Sequence, residues 1–173
     1  MKNIVLTGFM GTGKTQVGKI LSQRLGYKLV DVDDNIEREQ KLKITEIFKN
    51  YGEPAFRDIE SAEIKRLSEI DKAVISTGGG AVLRQENMDN LRKKGVIICL
   101  TASPQTILKR TDSNNDRPLL QVENPLQKIK DLLQIRTPYY EKADIIIDTE
   151  GKSPVEVAEE IIRKFKDLEK CRR

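Results

Sequence analysis

Eight residues near the start of the chain, Gly8-Phe9-Met10-Gly11-Thr12-Gly13-Lys14-Thr15, have the types and spacing to hold a polyphosphate. They fit the pattern G-x-x-x-x-G-K-[ST], and they stand between an apolar run that reads as a strand and a segment with helical periodicity. Gly11 and Gly13, with Thr12 between them, let backbone N–H groups approach phosphate oxygens, and the following helix adds unpaired donors and the positive end of its dipole. A cation such as Lys14 is disfavoured at that position unless an anion compensates. Thr15 offers a hydroxyl to a magnesium ion bridging the β- and γ-phosphates of ATP. The plainer reading is a glycine-rich turn with an incidental lysine.

Downstream residues have the chemistry to complete a phosphoryl transfer. An attacking hydroxyl needs a positioned carboxylate, and Asp31, Asp33 and Asp34 fall within four residues at the end of a β-branched run. The transferred phosphoryl needs cations, and an anionic acceptor suits guanidinium forks, for which Arg57, Arg110, Arg117 and Arg136 are available. Histidine is absent from the whole chain, which removes the commonest general base and leaves aspartate. Taken singly, each residue also has a structural reading. Asp31 and Asp33 are placed to cap a helix, Arg57 and Arg136 to make surface contacts, Gly78-Gly79-Gly80 to form a tight turn, and Arg110 to face solvent near a helix end.

The elements that must position these groups follow from periodicity. Short β-branched runs at 3–7, 28–32, 73–77, 96–101 and 145–148 read as five buried strands, separated by amphipathic segments. Near-continuous apolar strands with helices between them predict an α/β fold, a parallel sheet covered on both faces. Ser103-Pro104, Asn124-Pro125 and Ser153-Pro154 each place a capping residue before a proline and so mark three helix starts. After Ser153, Glu156 completes a capping box, and Ala158, Ile161, Ile162, Phe165 and Leu168 form a stripe for core packing. About 40 residues between the second and third strands, with helical patterns at 36–39, 45–50 and 57–69, exceed what one crossover needs and suggest an inserted binding segment. Residues 111–123 are polar at first and lie between two helices, as a lid would.

With 173 residues, 38% hydrophobic and 34% charged, the chain is expected to form one soluble domain spanning 1–173. The apolar start at Ile4–Leu6 is broken at once by glycines and Lys14, so neither a membrane span nor a secretion signal is expected. Two cysteines, Cys99 and Cys171, make no disulfide framework and point to the cytoplasm. The net charge of +4 includes only short basic clusters, which suit small anionic ligands rather than nucleic acid.

The phosphate loop is followed in order by Asp31-Val32-Asp33 with Ile36-Glu37, Phe56-Arg57 with Ile59-Glu60, Gly78-Gly79-Gly80-Ala81, Arg117-Pro118-Leu119-Leu120 and Arg136-Thr137-Pro138-Tyr139-Tyr140. In this order and spacing the set resembles the shikimate kinase family. The resemblance implies a P-loop kinase fold with a five-stranded parallel sheet, a substrate-binding segment at about 32–61 and a lid at about 111–124. It implies transfer of the γ-phosphoryl of ATP to the 3-hydroxyl of shikimate, with Mg2+; a monomer is expected, though the sequence does not announce the oligomeric state. Lys14, Asp33 and Arg117 would be catalytic. Gly11, Thr12, Gly13, Lys14, Thr15 and Gln16, with Arg110, Arg117 and Pro154, would hold the nucleotide. Asp33, Arg57, Gly79, Gly80 and Arg136 would hold shikimate, and Thr15 and Asp31 the metal. Asp34 directly follows the Asp-x-Asp pattern, so a one-residue shift of the turn would present it in place of Asp33. A kinase for a sugar acid such as gluconate, a nucleoside monophosphate kinase and a non-catalytic nucleotide sensor are the competing readings.

Overall fold

The computed structural model describes residues 2–111 and 122–171. Most of the expected lid, Arg117 included, lies outside the described residues. The chain runs β1 (Asn3–Gly8), α1 (Lys14–Leu25), β2 (Lys28–Asp31), α2 (Val32–Gln40), α3 (Ile44–Leu67), β3 (Ala73–Ser76), a single 3-10 turn (Ala81–Leu83), α4 (Gln85–Lys94), β4 (Gly95–Thr101), α5 (Pro104–Thr111), α6 (Pro125–Tyr140), β5 (Ile145–Asp148) and α7 (Pro154–Cys171). The three helices expected at Pro104, Pro125 and Pro154 begin there.

All neighbouring strands are parallel, in the order β2-β3-β1-β4-β5. Parallel pairing requires a crossover between successive strands, and the helices supply it. Since β1 lies between β3 and β4, connections leave the sheet centre in opposite directions and open a crevice beyond the strands' carboxyl ends.

Alternation along the strands divides the core. Val5, Ile75, Ile97 and Cys99 face a layer built from α2 to α6, where Ile36, Phe56, Ile64, Ile107 and Ile129 are buried. Ile4, Leu6, Val74, Val96, Ile98 and Leu100 face α1 and α7, meeting Val17, Leu21, Ala158, Ile161 and Phe165. The expected stripe on α7 is therefore core, with Ile162 and Leu168 packed at its margin.

Two expectations need correction. Five fully buried strands were implied, but β2 and β5 are sheet edges and only half-buried, with Lys28 and Ile146 exposed. The second strand was placed at 28–32, whereas Val32 already opens α2 because Asp31 caps that helix. Helical patterns at 45–50 and 57–69 belong to α3, which breaks at Gly52 (φ 80°, ψ 171°), a conformation an L side chain rarely adopts.

Asn3 had no role in the sequence reading. Its buried side chain accepts from the Ala73 N–H at 2.9 Å and donates to the Ile70 carbonyl, so it pins the chain entering β3 to β1. Among the described residues no helix is long and apolar enough to cross a membrane. Asn3→Ala leaves a buried amide without its acceptor and is expected to destabilise the fold by about 1–3 kcal/mol, measured by urea unfolding; a loss below about 0.5 kcal/mol contradicts the pinning role.

Candidate active site

The phosphate loop leaves β1 and enters α1 at Gly13, whose φ of 93° sets the turn. No side chain caps α1, so its first N–H groups are not taken up by a cap. Thr12 is buried and its hydroxyl donates to the Phe9 carbonyl at 2.8 Å, which braces the loop from within. Lys14 Nζ donates to the carbonyls of Gly8 and Phe9, each at 2.9 Å, and so arches over the loop. Thr15 and Gln16 are exposed at its mouth.

Strand β2 delivers the carboxylates from the adjoining side. Asp31 Oδ1 accepts from the Asp33 N–H at 3.0 Å and the Asp34 N–H at 3.4 Å, so Asp31, and not Asp34, is the cap of α2. Asp31 and Asp33 both border the cleft, Asp33 from the first turn of the helix that Asp31 caps. Asp34 is exposed and turned away.

Asp33 keeps part of its surface open to the cleft, while its Oδ1 is buried without a hydrogen-bond partner. Burial first, then the nearby Asp31 and Glu60 charges, push its carboxyl up to about 7 against the pull of Lys14 and Arg57. Glu60 Oε1 is a second buried oxygen with no partner. Both face Gly78: a Cβ there would stand 2.9 Å from each. Glycine at 78 leaves room for the two carboxyls to share one pocket.

Two arginines converge on the next two glycines. Arg57, on the inner arm of α3, donates to Glu60 Oε2 at 2.7 Å and to Glu53 Oε1 at 2.9 Å, and its guanidinium occupies the space a Gly80 side chain would need. Arg136, on α6, is only 4% exposed and makes no ion pair among the described residues. Its guanidinium lies over the Phe9 ring, 5.5 Å from the centroid, and 3.3 Å from where a Gly79 Cβ would stand. Neither arginine is the surface contact that position alone suggests. A buried guanidinium without a carboxylate is expensive, and an anion entering the cleft would offset that cost.

On the other side of the loop, Arg110 is exposed but tethered, donating to the Thr149 hydroxyl at 3.0 Å and carbonyl at 3.2 Å and reaching the Gly11 carbonyl at 3.4 Å. Pro154 stands at the same rim, opening α7. One cleft of about 1140 Å³ takes in the loop, both aspartates, both arginines, the glycine triplet, Arg110 and Pro154. Every site residue read from the sequence and lying among the described residues borders it; Arg117 is outside them.

A family model described as shikimate kinase matches residues 10–166. The chain belongs to the shikimate kinase family. A shikimate kinase of Thermodesulfovibrio yellowstonii is 56% identical over 168 residues, 97% of each chain. One from Thermoanaerobacter pseudethanolicus is 46% identical, covering 98% of this chain and 99% of its own. Among solved structures, the shikimate kinase of Acinetobacter baumannii in complex with shikimate superposes with a TM-score of 0.94 at 38% identity, over 97% of this chain and 94% of that one. A gluconokinase of Sinorhizobium meliloti reaches a TM-score of 0.65 at 19% identity and shares the fold alone. The sheet and helices are thus those of a P-loop kinase.

For this shikimate kinase family member, sequence reasoning placed Glu60 and Tyr140 in motifs without giving them a role, and passed over Glu53 and Ser76. Glu60 sits three residues after Arg57, the spacing of a helical ion pair, which was a legible signal. Ser76 pairs in register with Asp31 across β2 and β3, and no sequence pattern announces that.

Asp33 titrates near 7 in the fold against 3.8 when unperturbed, so the folded state holds its proton more tightly and loses stability as pH rises from about 4 to 7. Asp33→Asn is expected to raise the thermal midpoint by roughly 2–8 °C at pH 8 and to change it little below pH 4. Equal shifts at both pH values would contradict the buried charge.

Proposed function

We propose that the chain transfers the γ-phosphoryl group of ATP to the 3-hydroxyl of shikimate, releasing shikimate 3-phosphate and ADP. The observation that carries this reading is the convergence of two buried guanidiniums, Arg57 and Arg136, on Gly79 and Gly80 within the cleft that also holds the phosphate loop. A carboxylate-bearing acceptor fits between them, and its hydroxyls then lie toward Asp33. The relative from Acinetobacter baumannii, alike over almost the whole chain, was solved with shikimate.

In this reading the loop amides and Lys14 cradle the phosphates, Gln16 lies beside them, and Arg110 and Pro154 border the nucleotide base. Asp33 accepts the proton of the attacking hydroxyl or orients it. Its raised ionisation range suits a base working near neutrality, since a carboxylate held near 7 both loses and gains a proton readily there. Arg117 is assigned to the developing charge on the transferred group by resemblance alone.

Thr15 and Asp31 would hold magnesium. A hydroxyl and one carboxylate fit a hard cation that keeps several waters and takes its remaining ligands from phosphates, and among the described residues no group of three or more ligating side chains gathers to cage a metal. When bound, the ion neutralises charge on the β- and γ-phosphates. The low cysteine usage supports the cytoplasm.

The reading is tested by supplying ATP and magnesium with shikimate, gluconate or a nucleoside monophosphate. Phosphorylation of shikimate is expected to lead by orders of magnitude, and Asp33→Asn to lower its turnover by roughly 10²- to 10⁴-fold; a preference for gluconate or the nucleotide would move the chain to a neighbouring kinase class. Arg136→Ala is expected to raise the Michaelis constant for shikimate at least tenfold and that for ATP little. If shikimate carboxamide binds the wild-type protein as tightly as shikimate does, the guanidinium pair is not reading a carboxylate.

A further inference from the structure

Tyr140 closes α6 and is only 5% exposed, and a buried phenol normally finds a partner for its hydroxyl. The partner is remote in sequence: the hydroxyl donates to the Gly79 carbonyl at 2.7 Å. Burial pushes the phenol's ionisation up, so it stays a donor at any physiological pH.

The backbone bonds of the glycine triplet explain what this contact does. The Gly78 carbonyl accepts from Ala81 N–H at 3.2 Å, and the Gly80 carbonyl from Leu83 N–H at 3.1 Å. The Gly79 carbonyl has no backbone donor among the described residues, and Tyr140 fills that gap. Gly79 C=O and Gly80 N–H belong to one planar trans peptide and point in opposite directions. Fixing the oxygen therefore fixes the direction of the N–H, which points away from Tyr140. Arg136 stands one turn earlier on the same helix, with its guanidinium beside the phenol oxygen. The point where a Gly79 Cβ would stand is also 3.4 Å from the Gly8 carbonyl and 3.6 Å from the Met10 amide, so this peptide is wedged between α6 and the phosphate loop.

We propose that Tyr140 is a positioning residue for the acceptor: by holding the Gly79 carbonyl it aims the Gly80 N–H into the cleft in fixed relation to Arg136, so that a carboxylate meets a side-chain donor and a backbone donor already aligned. The proposal rests on the reading of the cleft as an acceptor site. Without the hydroxyl the Gly79 carbonyl loses its donor, and no Cβ on either flanking residue opposes a change in the angle of the peptide.

The test is Tyr140→Phe, which keeps the buried ring and removes one oxygen. Expected is a three- to tenfold rise in the Michaelis constant for shikimate, about the size of one net hydrogen bond, with the constant for ATP and the turnover at saturating shikimate within about twofold of wild type. Hydrogen exchange and the nitrogen-15 shift of the Gly80 amide are read in the ligand-free protein, because they do not depend on the acceptor's identity. The Gly80 amide is expected to shift and to exchange faster, while amides of β1 and β4 do not. A fluorinated tyrosine installed at 140 keeps the donor and is expected to restore both readouts, which also separates the role from any loss of folding in the phenylalanine variant. An unchanged Gly80 amide, or equal rises in both Michaelis constants, overturns the proposal. If wild-type protein does not phosphorylate shikimate, the functional reading falls, and the Gly80 amide alone decides the positioning role.

Discussion

The pairing of β1 with β3 is the constraint on which the site depends. Register along Ile4↔Val74, Val5↔Ile75 and Leu6↔Ser76 ends with Thr77, whose N–H and hydroxyl both reach the Leu6 carbonyl. That seam sets the glycine triplet after β3 directly beside the phosphate loop after β1. A slip in register would separate them. Asn3 guards the opposite end of the same seam, and Asp31↔Ser76 extends it to the carboxylates on β2. The cleft is therefore assembled by backbone hydrogen bonding before any side chain acts in it.

The charges within the cleft are arranged against their own stability. Asp33 and Glu60 each present a buried oxygen without a partner around Gly78, and Arg136 is buried without a carboxylate of its own among the described residues. Arg57, by contrast, is well compensated, by Glu53 and Glu60. Such imbalance is tolerated where a ligand completes it, and an acceptor bearing both a carboxylate and hydroxyls would supply opposite partners to the two halves.

Much of this was legible in the sequence, for reasons that differ by element. The phosphate loop was readable because its function dictates residue types at consecutive positions. The prolines at 104, 125 and 154 marked helix starts because each follows a capping residue and suits the first turn of a helix. Which strands lie at the edge was not readable, since β5 carries three consecutive isoleucines and still exposes Ile146; strand order is decided by crossovers rather than by composition. Asp31 both borders the cleft and caps α2, which was not readable because a single residue decides where extended backbone turns helical. Tyr140 was invisible as a site residue because it acts on a carbonyl at Gly79 brought near by folding, and Glu60, though its spacing from Arg57 was readable, meets the pocket at Gly78 only in the fold.

The central place of β1 also has a temporal side. Of the five strands β1 is made before the others, and both of its neighbours lie far downstream, β3 at Ala73–Ser76 and β4 at Gly95–Thr101. Nothing synthesised in between can satisfy its edges in the native arrangement, because β2 pairs with β3 and not with it. At about 5–20 residues per second, the apolar backbone of β1 waits several seconds for its partners. During that interval α1 is the native neighbour made first, packing through Val17 and Leu21 against Ile4 and Leu6 and covering that face of the nascent strand.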